Sequence, residues 1–222
     1  MTDSNTSLLS VTDQDRGSLD VAEGTCTVLL GPSGGGKTQW VRALLGFSET
    51  MDRVEFRGHQ VDSVVLRSHL GWVPDGDGVF LDLSVWSNVA TVPHLAPIEA
   101  GEAMNALDIV GLSHMAARPV SALTRTERRR VCLARSIARR CPLLIVDSDL
   151  DPTLGALLVP LLNQAPGLSG MLFMSSAASR LAWESDSVAL MSEGRILTQA
   201  PWAELVCSEQ PDVRAVVLCV AS

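Results

Sequence analysis

Apolar residues along this chain come in short blocks, and the spacing within each block points to one kind of element. Residues 25–30 (TCTVLL) form a β-rich run, followed at once by glycines and then by residues 38–45 in helical composition, which reads as strand, loop, helix. Residues 53–57 read as an edge strand and residues 70–73 as a second short one, with the DGDG of residues 75–78 as a turn. Ala100, Met104, Leu107 and Val110 fall on one helical face, and Gly111 suits the C-terminal cap. Thr124-x-x-Glu127 reads as a capping box that opens another helix, with Val131, Ala134 and Ala138 continuing its buried stripe. Residues 143–146, ending in Asp147, and residues 171–174 are continuous apolar runs, as expected for strands buried on both faces. Residues 187–191 and 196–198, joined by Ser192-Glu-Gly-Arg195, read as a closing hairpin, and Pro201 and Pro211 are each placed to start a short helix.

Strands alternating with helices predict an α/β fold with a mainly parallel sheet, right-handed crossovers and a small antiparallel β portion. The helical block between residues 83 and 140 would be a lobe inserted into that sheet. The length of 222 residues is enough for such a domain, and 46% hydrophobic against 19% charged residues argues for a folded chain except near residues 1–7.

Charge then narrows the partners. The net charge is −8 and the pI near 4.9, which disfavours nucleic acid as the main ligand, since phosphate backbones need clustered Lys and Arg. The basic residues that do cluster, between Arg125 and Arg140, read as the exposed face of one helix. Cys26, Cys132, Cys141, Cys207 and Cys219 show no C-x-x-C spacing, are odd in number and have apolar neighbours, so they read as reduced cysteines of a cytosolic protein. The chain opens without a signal-peptide pattern, and no apolar run approaches the roughly 20 residues a membrane helix needs. Direct membrane insertion is therefore not expected.

The sharpest chemical signal is the run Gly31, Pro32, Ser33, Gly34, Gly35, Gly36, Lys37, Thr38, which fits G-x-x-x-x-G-K-S/T in full. The glycines let successive backbone N–H groups turn toward phosphate oxygens with no side chain in the way. Lys37 would reach the β- and γ-phosphates, Thr38 would hold Mg²⁺ through its hydroxyl, and the start of the following helix favours the anion.

Several further segments, in order, resemble the ATP-binding cassette (ABC) transporter family. Leu70-Gly-Trp-Val-Pro74, followed by Phe80-Leu-Asp-Leu-Ser-Val85 and Asn88-Val89, looks like that family's Q-loop and the stretch after it. Leu123-Thr-Arg-Thr-Glu127, running into Arg130-Val-Cys-Leu-Ala-Arg135, resembles the signature segment and its helix, and Leu143-Leu-Ile-Val-Asp147 resembles the Walker B strand. Leu150-Asp151-Pro152 is similar to the end of the D-loop, and residues 188–196 to the strand pair ending in G-R-I. Within the family, Asn88-Val-Ala-Thr-Val-Pro93 and Glu209-Gln-Pro-Asp-Val-Arg214 are similar to stretches of importer subunits, the former to osmoprotectant (quaternary-amine) importers. A GTPase fits less well because the chain has no N-K-x-D motif, and a small-molecule kinase would not explain the Arg130–Arg135 helix.

The resemblance implies a P-loop NTPase (RecA-like) core in a single ABC-type domain. Its core lobe would take in about residues 18–82 and 141–200, its helical lobe about 83–140, and a C-terminal helical tail 201–222. It also implies ATP and Mg²⁺ as ligands and a membrane permease subunit as partner. A homo- or heterodimer with another ATP-binding subunit, and a cytoplasmic place at the inner face of the cell membrane, follow in the same way. Asp147 stands where the family has its Mg²⁺-coordinating aspartate.

The catalytic positions depart from the family. Ser148 replaces the glutamate that serves as general base; a hydroxyl can hold a water but cannot accept its proton at neutral pH. Asp149 is the nearest carboxylate, but on an extended strand it would point to the other face. Ser176 replaces the switch histidine, and none of His59, His69, His94 or His114 is placed to stand in. Asp75 replaces the Q-loop glutamine, where a carboxylate could still take Mg²⁺. The signature serine and glycines have become Thr124, Arg125 and Thr126, leaving Arg125 as a cation for a partner's γ-phosphate and Thr124 as a hydroxyl contact, unless Thr124 and Glu127 simply cap the helix. No aromatic residue precedes Thr25 to stack on adenine, and Trp72 and Trp86 read as packing residues. Together these changes predict Mg-ATP binding with impaired hydrolysis, or a non-hydrolytic regulatory or scaffolding subunit.

Overall fold

A computed structural model describes residues 6–76, 78–90, 98–147, 160–162, 164–178 and 180–221. In chain order the first elements are β1 (Ser7–Asp13), β2 (Gly17–Ala22), β3 (Thr25–Leu30), α1 (Lys37–Leu44), β4 (Arg53–Phe56), β5 (His59–Gln60) and α2 (Ser63–Ser68). Then come β6 (Leu70–Val73), α3 (Val85–Ala90), α4 (Ala100–Ile109), α5 (Arg125–Ala138) and β7 (Leu143–Asp147). The chain closes with β8 (Gly170–Ser175), α6 (Arg180–Glu184), β9 (Ser187–Ser192), β10 (Arg195–Ala200), α7 (Trp202–Val206) and α8 (Pro211–Val220). Contacts divide it into two compact units, Met1–His69 with Ser169–Ser222, and Leu70–Leu168.

The first unit carries a small antiparallel sheet in the order β2-β1-β4-β5. It also holds β3 between β8 and β9, parallel to both, with β10 returning antiparallel on β9. β3 and β8 are apolar nearly throughout because both faces are covered, so continuous runs replace alternation. α1 buries Trp40, Val41, Ala43 and Leu44, a stripe at helical spacing that fixes the helix directly after the glycine-rich loop. The second unit pairs β6 with β7 in parallel and packs α3, α4 and α5 against each other, with α5 also on β6. α5 opens with a complete capping box: the Glu127 N–H donates to Thr124 Oγ1, and the Thr124 N–H donates to Glu127 Oε2 at 2.8 Å. The fold is α/β with a mainly parallel sheet and a small antiparallel one, as the alternating pattern predicts.

Four expectations are corrected. β4 is not an edge strand: β1 and β5 flank it, with Leu9 opposite Phe56 and Glu55 opposite Gln60. The buried face of α4 runs through Ala103, Ala106 and Leu107 to Val110, while Ala100 and Met104 are exposed; the helix is rotated about one residue from the stripe its sequence suggests. Trp86 is an exposed side chain rather than packing. The arginines of α5 do not form one exposed face, because Arg129 is buried. Gly111 adopts φ +73° directly after the end of α4, as a C-terminal cap requires.

Candidate nucleotide site

The phosphate loop leaves β3 at Leu30 and enters α1 at Lys37. Two of its glycines are dictated by geometry. Gly36 sits at φ +93° as the residue before α1, and a Cβ there would lie 2.7 Å from Gly194 Cα in the β9–β10 turn. At Gly31 a Cβ would come within 2.3 Å of the Met191 carbonyl oxygen on β9. The turn fixes the loop by a hydrogen bond as well: the Gly194 N–H donates to the Gly35 carbonyl at 2.9 Å.

Lys37 lies over the loop it closes. Its ammonium donates to the carbonyls of Gly31 (2.7 Å) and Pro32 (3.0 Å), which holds the positive charge where the loop would receive phosphate. The residue before α1, Gly36, makes no side-chain cap hydrogen bond, and the start of a helix favours an anion. Thr38, on the first turn of α1, is exposed, as are Ser33 and Gly34. This donor set fits a polyphosphate: fixed N–H groups, one ammonium and an exposed hydroxyl.

Beside the loop lies a cavity of about 420 Å³ in the first unit, lined by Arg16, Gly36, Gln39, Phe47, Glu49 and Gly194 among others. Arg16 is held there by ion pairs to Glu49 (2.5 Å) and Asp13 (3.4 Å). Asp13 is buried; burial pushes its carboxyl upward, but N–H donors of Arg16, Asp52 and Asp15 and the Arg16 charge outweigh this and hold it below its ordinary value. Sequence patterning missed this cavity, since Arg16 and Glu49 are 33 residues apart and neither belongs to a motif.

In the second unit, Asp147 ends β7 and is buried at 4% exposure, a carboxylate at the tip of a strand. Ser148, Asp149 and residues 150–152 lie outside the described residues, as does His94. Ser176 follows β8 in the first unit and is half-buried; next to it the Ser175 hydroxyl donates to the Ala177 carbonyl at 2.8 Å.

Asp75 and Arg125 are brought together. Arg125 donates through one Nη to Asp75 Oδ1 and to the Asp75 carbonyl, both at 3.0 Å. Arg129, one turn further along α5, donates to the same Oδ1 at 2.5 Å. Thr124 serves as the helix cap, and Glu127 is held below its ordinary value first by the Thr124 N–H and then by the Thr124 hydroxyl.

With this geometry in view, the sequence profile described as ABC transporter matches residues 15–151, more than half of the chain. The chain belongs to the ABC transporter family. Among relatives of this ABC chain, a probable ABC transporter ATP-binding protein of Azorhizobium caulinodans is 28% identical over 214 residues, covering 90% of this chain and 75% of the relative. The sulfate/thiosulfate import ATP-binding protein CysA of Escherichia coli is 33% identical over 141 residues, covering 59% of this chain and 38% of the relative. Among solved structures, cbiO1 of Clostridium perfringens, part of the ABC transporter complex cbiONQ, superimposes with a TM-score of 0.77 at 23% identity, covering 96% of this chain and 95% of that one. That likeness is one of fold. Membership of the ABC family implies ATP binding, and the loop offers the donors for it.

Proposed function

We propose that this chain is the ATP-binding subunit of an ABC importer, which binds Mg-ATP at the phosphate loop and hydrolyses it poorly. One observation carries the reading: a left-handed Gly36 leads into α1 while the Lys37 ammonium spans the loop. Gly31, Pro32, Ser33, Gly34, Gly35 and Gly36 would cradle the phosphates, Lys37 would neutralise them, and Thr38 and Asp147 would hold the Mg²⁺. Among the described residues no group of three or more His, Cys, Asp or Glu side chains is placed to hold a metal, so phosphate oxygens and water would complete the coordination. Hydrolysis would be slow because Ser148 cannot take a proton from water and Ser176 cannot supply the contact of a histidine. Each such group is worth about 10²–10⁴-fold.

Import rather than export is supported by the name of the CysA relative, of which this chain spans 38%. A permease partner is supported by an apolar surface in the second unit, where Phe80, Leu81, Leu83 and Trp86 are all exposed. Buried Asn88 holds the segment that carries them, accepting from the Phe80 N–H at 2.7 Å and donating to the Phe80 and Ser84 carbonyls at 2.9 and 3.0 Å. A preordered apolar surface of this kind suits a helix of the permease. No described helix is long and apolar enough to cross a membrane, so the permease would place the chain at the inner face of the membrane. The dimer, and the layout of core lobe (18–82 and 141–200), helical lobe (83–140) and tail (201–222), belong to the same proposal.

A non-hydrolytic regulatory subunit is favoured by one observation, the engagement of Asp75 by Arg125 and Arg129, which draws that carboxylate away from metal or water. Calorimetric titration with Mg-ATP, run beside a phosphate-release assay, tests both readings. The expected result is binding that weakens at least about tenfold in Lys37→Ala, the scale of a lost charge-assisted hydrogen bond. An unaltered chain that fails to bind Mg-ATP sinks the proposal. Turnover on the order of 1 s⁻¹ or faster, the ordinary range for enzymes, would refute impaired hydrolysis. Substantial recovery of turnover in Ser148→Glu would refute the regulatory reading.

A further inference from the structure

We propose that the chain associates with a second copy of itself through the exposed face of α6, as an antiparallel helix pair centred on Trp183. The surface lies within the first unit and is built from three helices. On α6, Arg180, Trp183 and Glu184 are spaced by three and four residues and stand exposed on one face, while Ala182 is buried. Trp183 is 64% exposed, and its ring packs edge-on against buried Trp202 of α7, with centroids 6.1 Å apart. Val206, one turn beyond Trp202, is exposed as well. The Ala178 N–H, just before α6, donates to the Val220 carbonyl at 2.6 Å, which ties α6 to the end of α8, where Leu218 is 70% exposed. Three apolar side chains on neighbouring helices are thus left in water.

The charges on α6 indicate what covers them. The Arg180 Nε donates to Glu184 Oε1 at 2.5 Å, with Arg180 opening the helix and Glu184 ending it. Each charge therefore sits at the end of its own helix that the dipole disfavours, and a cation before an anion is the weaker order for a pair four residues apart. A second α6 laid antiparallel reverses both. Each Arg180 then lies beside the C-terminal end of the other α6 and faces its Glu184. A twofold contact requires this reciprocity, in which one residue meets a second and that second meets the first. Other occupants fit less well. α6, α7 and α8 carry two arginines against three carboxylates, too few cations for an anionic lipid surface. One charge of each sign beside Trp183 favours neither an acidic nor a basic partner. The net charge of −8 opposes self-association elsewhere, so two copies meet best at a face that is locally neutral. This contact is separate from the dimer of the proposed function, because it needs no nucleotide and uses no residue of the phosphate loop.

Sedimentation velocity of the full chain without nucleotide, at low salt and rising concentration, reads the association. A reversible dimer is expected, weakened at least about tenfold in Trp183→Ser, the scale of truncating an aromatic anchor. Arg180→Glu and Glu184→Arg are each expected to weaken it, since like charges then face one another. An equimolar mixture of these two variants is expected to regain it, because every facing pair is again opposite in sign. Should Trp183→Ser lose its packing on Trp202 and fail to fold, the two exposed charge variants carry the test. A chain that stays monomeric up to about 1 mM overturns the proposal. So does association that Trp183→Ser leaves unchanged, or a mixture no stronger than either charge variant alone. Pelleting with phosphatidylglycerol vesicles that depends on Trp183, without self-association, assigns the face to lipid and overturns it too. The functional reading is decided separately, by Mg-ATP binding.

Discussion

Consider replacing Gly36 by alanine. Two penalties meet at this residue. Its φ of +93° lies where L-residues are strained, at a cost of about 1–2 kcal/mol. The added methyl would also lie 2.7 Å from the Gly194 Cα, a backbone atom that cannot rotate aside, so the loop and the β9–β10 turn must separate. Separation strains the hydrogen bond from the Gly194 N–H to the Gly35 carbonyl, worth about 0.5–1.5 kcal/mol net. The sum is roughly 1.5–3.5 kcal/mol, a large share of the roughly 5–15 kcal/mol that ordinarily stabilises a domain. Gly34 supplies the control. It has φ +77° in the same loop, but a Cβ there meets nothing within 4 Å, so Gly34→Ala carries the strain alone, about 1–2 kcal/mol. Urea unfolding of both variants beside the unaltered chain gives the two losses, and Mg-ATP titration reports loop geometry. The expected order is a larger midpoint shift and weaker nucleotide binding for Gly36→Ala than for Gly34→Ala. Equal shifts in the two would refute the claim that contact with the β9–β10 turn positions the loop.

Two further predictions concern titratable groups. Asp13 is held below its ordinary value of 3.8 in the folded chain, so its contribution is fully present above that value and is lost as the pH falls through the lowered folded value. Thermal melts from pH 6 downward should show Asp13→Asn less stable at neutral pH, with the gap to the unaltered chain closing below about pH 4; a gap that stays constant would refute the assignment. Burial, and then the charge of Asp186, push the Cys26 thiol up to about 12, while Cys207 and Cys219 are exposed. Alkylation at pH 8 read by mass spectrometry should modify Cys207 and Cys219 well before Cys26. Early labelling of Cys26 in the folded chain would show that β3 is not sealed.

Much of this was legible in sequence because the relevant signals are local. The phosphate loop announces itself through glycines at fixed offsets, and the α5 cap through Thr124 and Glu127 three residues apart, and both are found where the residues place them. What could not be read depends on groups distant along the chain. The arginine run looked like a solvated face because nothing near it reveals that Asp75 supplies a counter-charge to Arg129. The β1–β2 hairpin escaped notice because the register shifts between Ser7 and Leu9, so Leu8 and Leu9 are both buried and the alternation that marks a half-buried strand is broken. The Met104 stripe failed for a smaller reason: small Ala103 and Ala106 take the inner face of α4, and a larger apolar residue is left outside. Ser148, on which the view of hydrolysis turns, is a matter of residue type at a motif position rather than of observed geometry.

The seat of the phosphate loop has a consequence for how the chain is made. Its rigidity comes from β9 and the turn at Gly194, residues synthesised about 160 positions after the glycines they hold. β3 itself is flanked by β8 and β9, which begin about 140 and 160 residues after it. Pairings of such long sequence separation close late, since their loop entropy must be overcome before any contact rewards it. A nascent chain stopped after residue 180 would carry the complete motif yet lack the surface that shapes it. Nucleotide capture would then begin only once β9 and β10 have emerged, and would report that their hairpin has docked.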